Sequence, residues 1–72
     1  MSALDFPRLR QELESHIINR TGTRIRNLAI QLSPDGVSLQ GETATFYVKQ
    51  LAQHSVREML PDVRLQNDIM VS

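Results

Sequence analysis

The chain contains no cysteine. That excludes disulfides, thiolate metal sites and a cysteine nucleophile, and it fits any redox compartment. It also has no excess of either charge: eight basic and eight acidic residues give a formal net charge of zero. A general electrostatic grip on nucleic acid or on anionic lipid is therefore not indicated, although a local basic patch is left open. Zero net charge also leaves self-association weakly opposed. No apolar run approaches the roughly 18 residues that a membrane-spanning helix needs. The start, Met1-Ser-Ala-Leu-Asp-Phe-Pro-Arg8, lacks a basic segment followed by an apolar one, so it does not resemble a signal peptide and the chain reads as cytoplasmic. Linkers, internal repeats and low-complexity tracts are missing as well. The 72 residues form one domain, and a single core of this size supplies stability of only about 3–5 kcal/mol. Little of that is spare for a strained catalytic pocket.

What the chain does have is hydrophobic periodicity. Phe6, Leu9, Leu13 and Ile17 fall on one stripe at helical spacing, which predicts a helix from about Phe6 to Arg20. Asp5 is placed to cap it, Pro7 suits its first turn, and Gly22 stands where a C-terminal glycine ends a helix. Leu28, Ile30 and Leu32 then alternate with polar or small residues over Asn27–Leu32, the period of a half-buried strand. Ser33-Pro34-Asp35-Gly36 is a turn, since proline presets φ and glycine tolerates positive φ. A second strand, Val37–Gly41, follows, and Gly41 is expected to end it and let the next helix pack close to the sheet.

That next helix is predicted from about Ala44 to Leu60, capped by Thr43 and stopped by Pro61, with Ala44, Val48, Leu51, Ala52, Ser55, Val56 and Met59 on its apolar face. Val63, Leu65, Ile69 and Val71 give the inward side of a third strand, which Asn67-Asp68 is expected to interrupt as a bulge. Each strand offers one apolar side. The fold class is therefore α+β, an αββαβ two-layer sandwich with both helices on one face of a three-stranded sheet. Leu28, Ile30, Val37, Leu39, Leu51, Val56 and Leu65 should be buried, with Ala29, Gln31, Ser38, Gln40, Arg64 and Gln66 on a polar outer face.

In this order of elements, in Asp35-Gly-Val-Ser-Leu-Gln-Gly41 and in the ending Val63-Arg-Leu-Gln-Asn-Asp-Ile69, the chain resembles the BON domain, a small module of bacterial envelope and stress proteins. The likeness extends from about Arg8 to Val71. It implies a non-catalytic module linked to phospholipid surfaces and to docking within larger assemblies; many family members are exported. The resemblance carries over no catalytic residue, and Gly36, Gly41 and Asn67 transfer as structural positions only.

Enzyme chemistry finds little support. His16 and His54 lie on different predicted helices, outside any metal-spaced cluster. Ser15-His16 and His54-Ser55 are helix neighbours pointing about 100° apart, so neither pair makes a nucleophile–base contact. The acidic residues are scattered. Gly22-Thr-Arg lacks the spacing of a phosphate loop, and it lacks the Gly-x-x-Gly clamp of KH RNA-binding modules. Neither a catalytic residue nor a metal or cofactor is expected.

Three surface features bear on binding. Arg20, Arg24 and Arg26 flank the first helix-to-strand loop, where guanidinium groups suit a lipid headgroup, a phosphate or a carboxylate; the plainer alternative is that they cap the helix end and stay solvated. Phe46 and Tyr47 open the second helix, with Phe46 turned away from its apolar face: an anchor for a partner or membrane interface, or a ring folded onto the core edge. Ile18 lies on the outer side of the first helix. These features favour a docking module that engages a membrane surface, a protein partner or a second copy of itself. A small RNA-binding or ribosome-associated adaptor is the alternative, since αββαβ folds of this size also occur among nucleic-acid modules.

Overall fold

The computed structural model describes residues 6–72. Its elements are α1 (Phe6–Thr21), β1 (Arg26–Ser33), β2 (Gly36–Thr43), α2 (Phe46–Met59) and β3 (Leu65–Val71). The strands lie in the order β1-β2-β3. β1 and β2 are joined by the Pro34-Asp35 turn and run antiparallel. β3 returns beside β2 in parallel after the α2 crossover, as a parallel pair requires. Both helices pack on one face of the sheet and on each other. The expected α+β sandwich is thus the observed fold. Asp5, the expected cap of α1, lies outside the described residues.

One cluster forms the core: Leu13 and Ile17 from α1, Ile30 from β1, Val37 and Leu39 from β2, Ala52 and Val56 from α2, and Ile69 from β3. Leu28, Leu51 and Leu65, expected to be buried, are half-buried and packed against it. Leu28 and Leu65 belong to the two outer strands of a narrow sheet, where the helical layer covers them on one side only. Thr21, Thr43 and Ser55 are buried with their hydroxyls inside the fold; those of Thr21 and Ser55 donate to the carbonyls of Ile17 and Leu51, both at 2.8 Å.

Four local expectations are corrected. β2 does not end at Gly41 but runs on to Thr43, because β3 stays paired with it as far as Thr43↔Val71. Thr43 is consequently a strand residue, and the N-cap of α2 is Thr45, whose Oγ1 accepts from the Val48 N–H at 3.3 Å. Ala44 precedes the helix and is exposed. The β3 register is unbroken from Leu65 to Val71, so Asn67-Asp68 is not a bulge. The irregularity sits in β1 between Arg26 and Ala29, where Asn27 takes a left-handed φ of 56°.

That irregularity explains Gly41. A Cβ there would lie 2.9 Å from Ile25 Cγ2 and 3.1 Å from the Arg26 carbonyl oxygen, at a φ of +154°. The close neighbour is the start of β1, not α2. Gly36 is more constrained still. Its φ is +156°, and a Cβ would stand 2.3 Å from the Arg64 carbonyl oxygen, which accepts the Val37 N–H at 2.8 Å. The first bond of the parallel β2–β3 pair forms where only a glycine leaves room.

Asn67 fastens β3 to the helical layer. Its amide donates to the Lys49 carbonyl of α2 at 3.1 Å, and its Oδ1 accepts the Ile69 N–H at 3.2 Å. The two glycines thus sit at close backbone approaches, and the asparagine bridges a strand to a helix.

Candidate docking surface

The chemistry-bearing side chains of the two helices meet each other. His16 Nε2 lies 3.0 Å from Glu58 Oε1, and Arg20 donates to Glu58 Oε2 at 2.5 Å. This clasp ties α1 to α2 at the surface. The hydrogen bond with His16, aided by the charge of Arg20, holds the Glu58 carboxyl below its ordinary value of 4.5, against a partial loss of hydration that raises it. His54 is exposed, and the hydroxyl of its neighbour Ser55 is spent on Leu51. Arg57 donates to the Pro61 and Val63 carbonyls, closing the turn into β3. Among the described residues, no three His, Asp or Glu side chains are placed to share a metal ion. No helix among them is long and apolar enough to cross a membrane.

The three arginines do not act as one group. Arg20 belongs to the Glu58 clasp. Arg26 pairs with Glu42 at 3.8 Å across the first rung of the β1–β2 ladder. Arg24 is exposed and has no ion pair or hydrogen bond among the described residues. The loop that carries it borders a hollow of about 160 Å³ lined by Ile18, Thr21, Gly22, Thr23, Ile25 and Leu28. Ile18, 45% exposed, is one wall of it. Ile18 and the arginine loop thus form one surface, a juxtaposition that sequence reasoning missed. The available signal was the helix end itself: Gly22 N–H donates to the Ile18 carbonyl at 2.7 Å, so this residue belongs to the turn where the chain leaves α1. Phe46 is not among the walls.

Phe46 and Tyr47 are exposed at 60% and 63% in the first turn of α2. They begin three residues after Thr43, whose strand partner is Val71, while Glu42 pairs with Met70. Met70 and Val71 are themselves 66% and 41% exposed. Toward one end of the molecule, the start of α2 and the end of β3 thus leave apolar side chains exposed as a rim, with Phe46 and Tyr47 on the helical layer and Met70 on the outer face of the sheet. Met70 was legible as an outward residue, since it continues the alternation Gln66, Asp68; Val71 was expected inside, and its place as the last residue of an outer strand leaves it open.

The opposite face of the sheet is polar. At its hairpin end, Gln31, Ser33, Asp35, Ser38, Arg64 and Gln66 border a shallow groove of about 550 Å³. The row from Ala29 through Gln40 to Asp68 continues it in register. No family model, curated protein or solved structure shows a significant match to the chain.

Proposed function

We propose that this chain is a non-catalytic docking module of the BON type and that the apolar rim of Phe46, Tyr47, Met70 and Val71 receives a protein partner. The observation that carries this reading is the exposure of three large side chains at 60% or more in a domain this small. Aromatic and methionine side chains are the types enriched where proteins bury surface against each other. Two further features support it. Among the described residues, His16 and Glu58 are joined with Arg20 in the clasp between the helices, His54 is exposed, and the Ser55 hydroxyl is bonded to the Leu51 carbonyl. Gly36, Gly41 and Asn67, where the chain resembles the BON pattern, make two close backbone approaches and a bridge from β3 to α2.

A protein is favoured over an anionic membrane because the chain has no net positive charge to draw it to one. It is favoured over RNA because the sheet face running from Ala29 to Met70 carries no aromatic ring on which a base would stack.

The test is a photo-crosslinking residue at position 47 of the full chain, irradiated in the cells that make it, with position 53 as control. The expected result is a discrete protein adduct from position 47 that disappears with Met70→Ser while the melting temperature holds. Purified protein mixed with phosphatidylglycerol–phosphatidylcholine vesicles should remain in the supernatant. Sedimentation with those vesicles that is lost in Phe46→Ser would replace the protein partner by a membrane surface. Adducts that are equal at both positions, or indifferent to Met70→Ser, would remove the rim as the docking site.

A further inference from the structure

We infer that the hollow between the end of α1 and the start of β1 is a second recognition site, for an acidic peptide segment bearing one aromatic or branched aliphatic anchor. The inference rests on the docking reading and names the chemistry of a segment that would bind away from the apolar rim.

The size fits. An apolar cavity of about 150 Å³ accommodates a benzene ring, and the hollow measures about 160 Å³. Its lining is apolar where it counts. Ile18, Ile25 and Leu28 supply hydrocarbon. The Thr21 hydroxyl is turned to the Ile17 carbonyl at 2.8 Å, and the Gly22 N–H is spent on Ile18. These two polar groups therefore make no demand on a ligand. Ile18 is 45% exposed, so an anchor seated here would bury surface that the described residues leave open.

Charge sets the rest of the segment. Arg24 lies between Thr23 and Ile25, two residues that line the hollow, and it has no partner among the described residues. Its neighbours in the cationic loop are already neutralised, Arg20 by Glu58 and Arg26 by Glu42. The exposed guanidinium of Arg24 is thus left over on the loop that borders the hollow, and its fork suits a bidentate carboxylate. The C-terminal carbonyls of α1 carry partial negative charge and disfavour an anion within the hollow itself. The two fields sort the ligand: an uncharged side chain inside, a carboxylate outside against Arg24.

The measurement is binding of fluorescein-labelled Asp-Glu-Phe-Glu-Asp to the full chain, with amide chemical shifts recorded during the titration. The expected result is shifts at Ile18, Gly22 and Ile25. Affinity should fall at least tenfold with Arg24→Glu, with Ile18→Glu, or when the peptide's phenylalanine is replaced by serine, and should not change with Phe46→Ser. Ile18 and Arg24 are exposed, so both variants should keep the melting temperature of the parent. The inference is overturned by a serine peptide that binds equally well, by shifts centred on Phe46 and Met70, or by no binding at millimolar peptide. It is also overturned if phosphatidylglycerol micelles, and not the peptide, move the same amides. None of these results touches the crosslinking at position 47, so the pocket can fail while the docking rim stands, and the reverse.

Discussion

At the scale of single residues, two positions hold more than their size suggests. Gly36 admits the Arg64 carbonyl to within 2.3 Å of where a Cβ would be, at a φ of +156°. Gly36→Ala should therefore combine backbone strain with a clash against main chain that is itself hydrogen-bonded. Overpacking of this kind costs about 1–3 kcal/mol, a large share of the roughly 3–5 kcal/mol available to so small a core. Gly41→Ala should cost less, because its nearest neighbour is the tip of the Ile25 side chain at 2.9 Å. Thermal melts rank the two; an equal loss would show that the Arg64 carbonyl moves aside. Asn67 acts through both ends of its amide. Asn67→Ala removes the bond to Lys49 and leaves the Ile69 N–H without its acceptor, a loss of about 1–3 kcal/mol. Asn67→Asp retains an acceptor for Ile69 but sets a carboxylate against the Lys49 carbonyl. Hydrogen exchange separates these effects: the Ile69 amide should lose protection in the alanine variant and keep much of it in the aspartate one. An Ile69 amide equally protected in Asn67→Ala would mean that the side chain is not its acceptor in solution.

At the scale of elements, the helices and strands were legible because each carries an unbroken hydrophobic period, 3.6 in α1 and α2 and 2 in the strands. The boundaries that differed are those set by pairing with a distant strand. Thr43 and Thr45 are equally suited to cap a helix; Val71 decides between them by extending β2 to Thr43. Asn27 is of a residue type that tolerates a left-handed φ, but the same holds for Asn67; Asn67-Asp68 looks disruptive and is held straight by the bridge to α2. The candidate surfaces divide in the same way. Phe46 stood out from the helical wheel, but the company of Ile18 and Arg24 depends on how α1 turns into β1. The contact between the helices adds a pH dependence. The Glu58 carboxyl is held below its usual range, first by His16 and then by Arg20. A carboxylate depressed in the folded state contributes stability that is present above its unfolded value and lost as pH falls through the folded one. Melting temperatures should thus decline as pH descends below about 4.5, the ordinary value. Glu58→Gln should be less stable than the parent at pH 7 and should lose this part of the acid response. The difference should shrink at high salt, since the clasp is solvent-exposed. Parallel pH profiles for the two proteins would show that the clasp does not form.

At the scale of the whole molecule, the decisive quantity is how thin the core is. Among the described residues one cluster joins both helices and all three strands, so unfolding should be all-or-none. Leu39 stands at the centre of that cluster, fully buried on the middle strand. Truncating a buried leucine to alanine costs about 2–5 kcal/mol, depending on how far the surroundings collapse. That range overlaps the roughly 3–5 kcal/mol expected for the entire domain. Leu39→Ala should therefore be largely unfolded at 25 °C. Leu51→Ala, at a half-buried position on the flank of α2, should remain folded with a lowered midpoint. Urea titrations followed by far-ultraviolet circular dichroism distinguish the cases, with a full folded baseline for Leu51→Ala and little or none for Leu39→Ala. A folded Leu39→Ala with a midpoint close to the parent's would mean that the domain has several kcal/mol more stability than one small core supplies, and self-association would then be the first source to measure, by light scattering across concentration. The same thinness explains why recognition is better placed on exposed residues such as Phe46, Met70, Ile18 and Arg24. Changing them draws little on the free energy that holds the sheet and helices together.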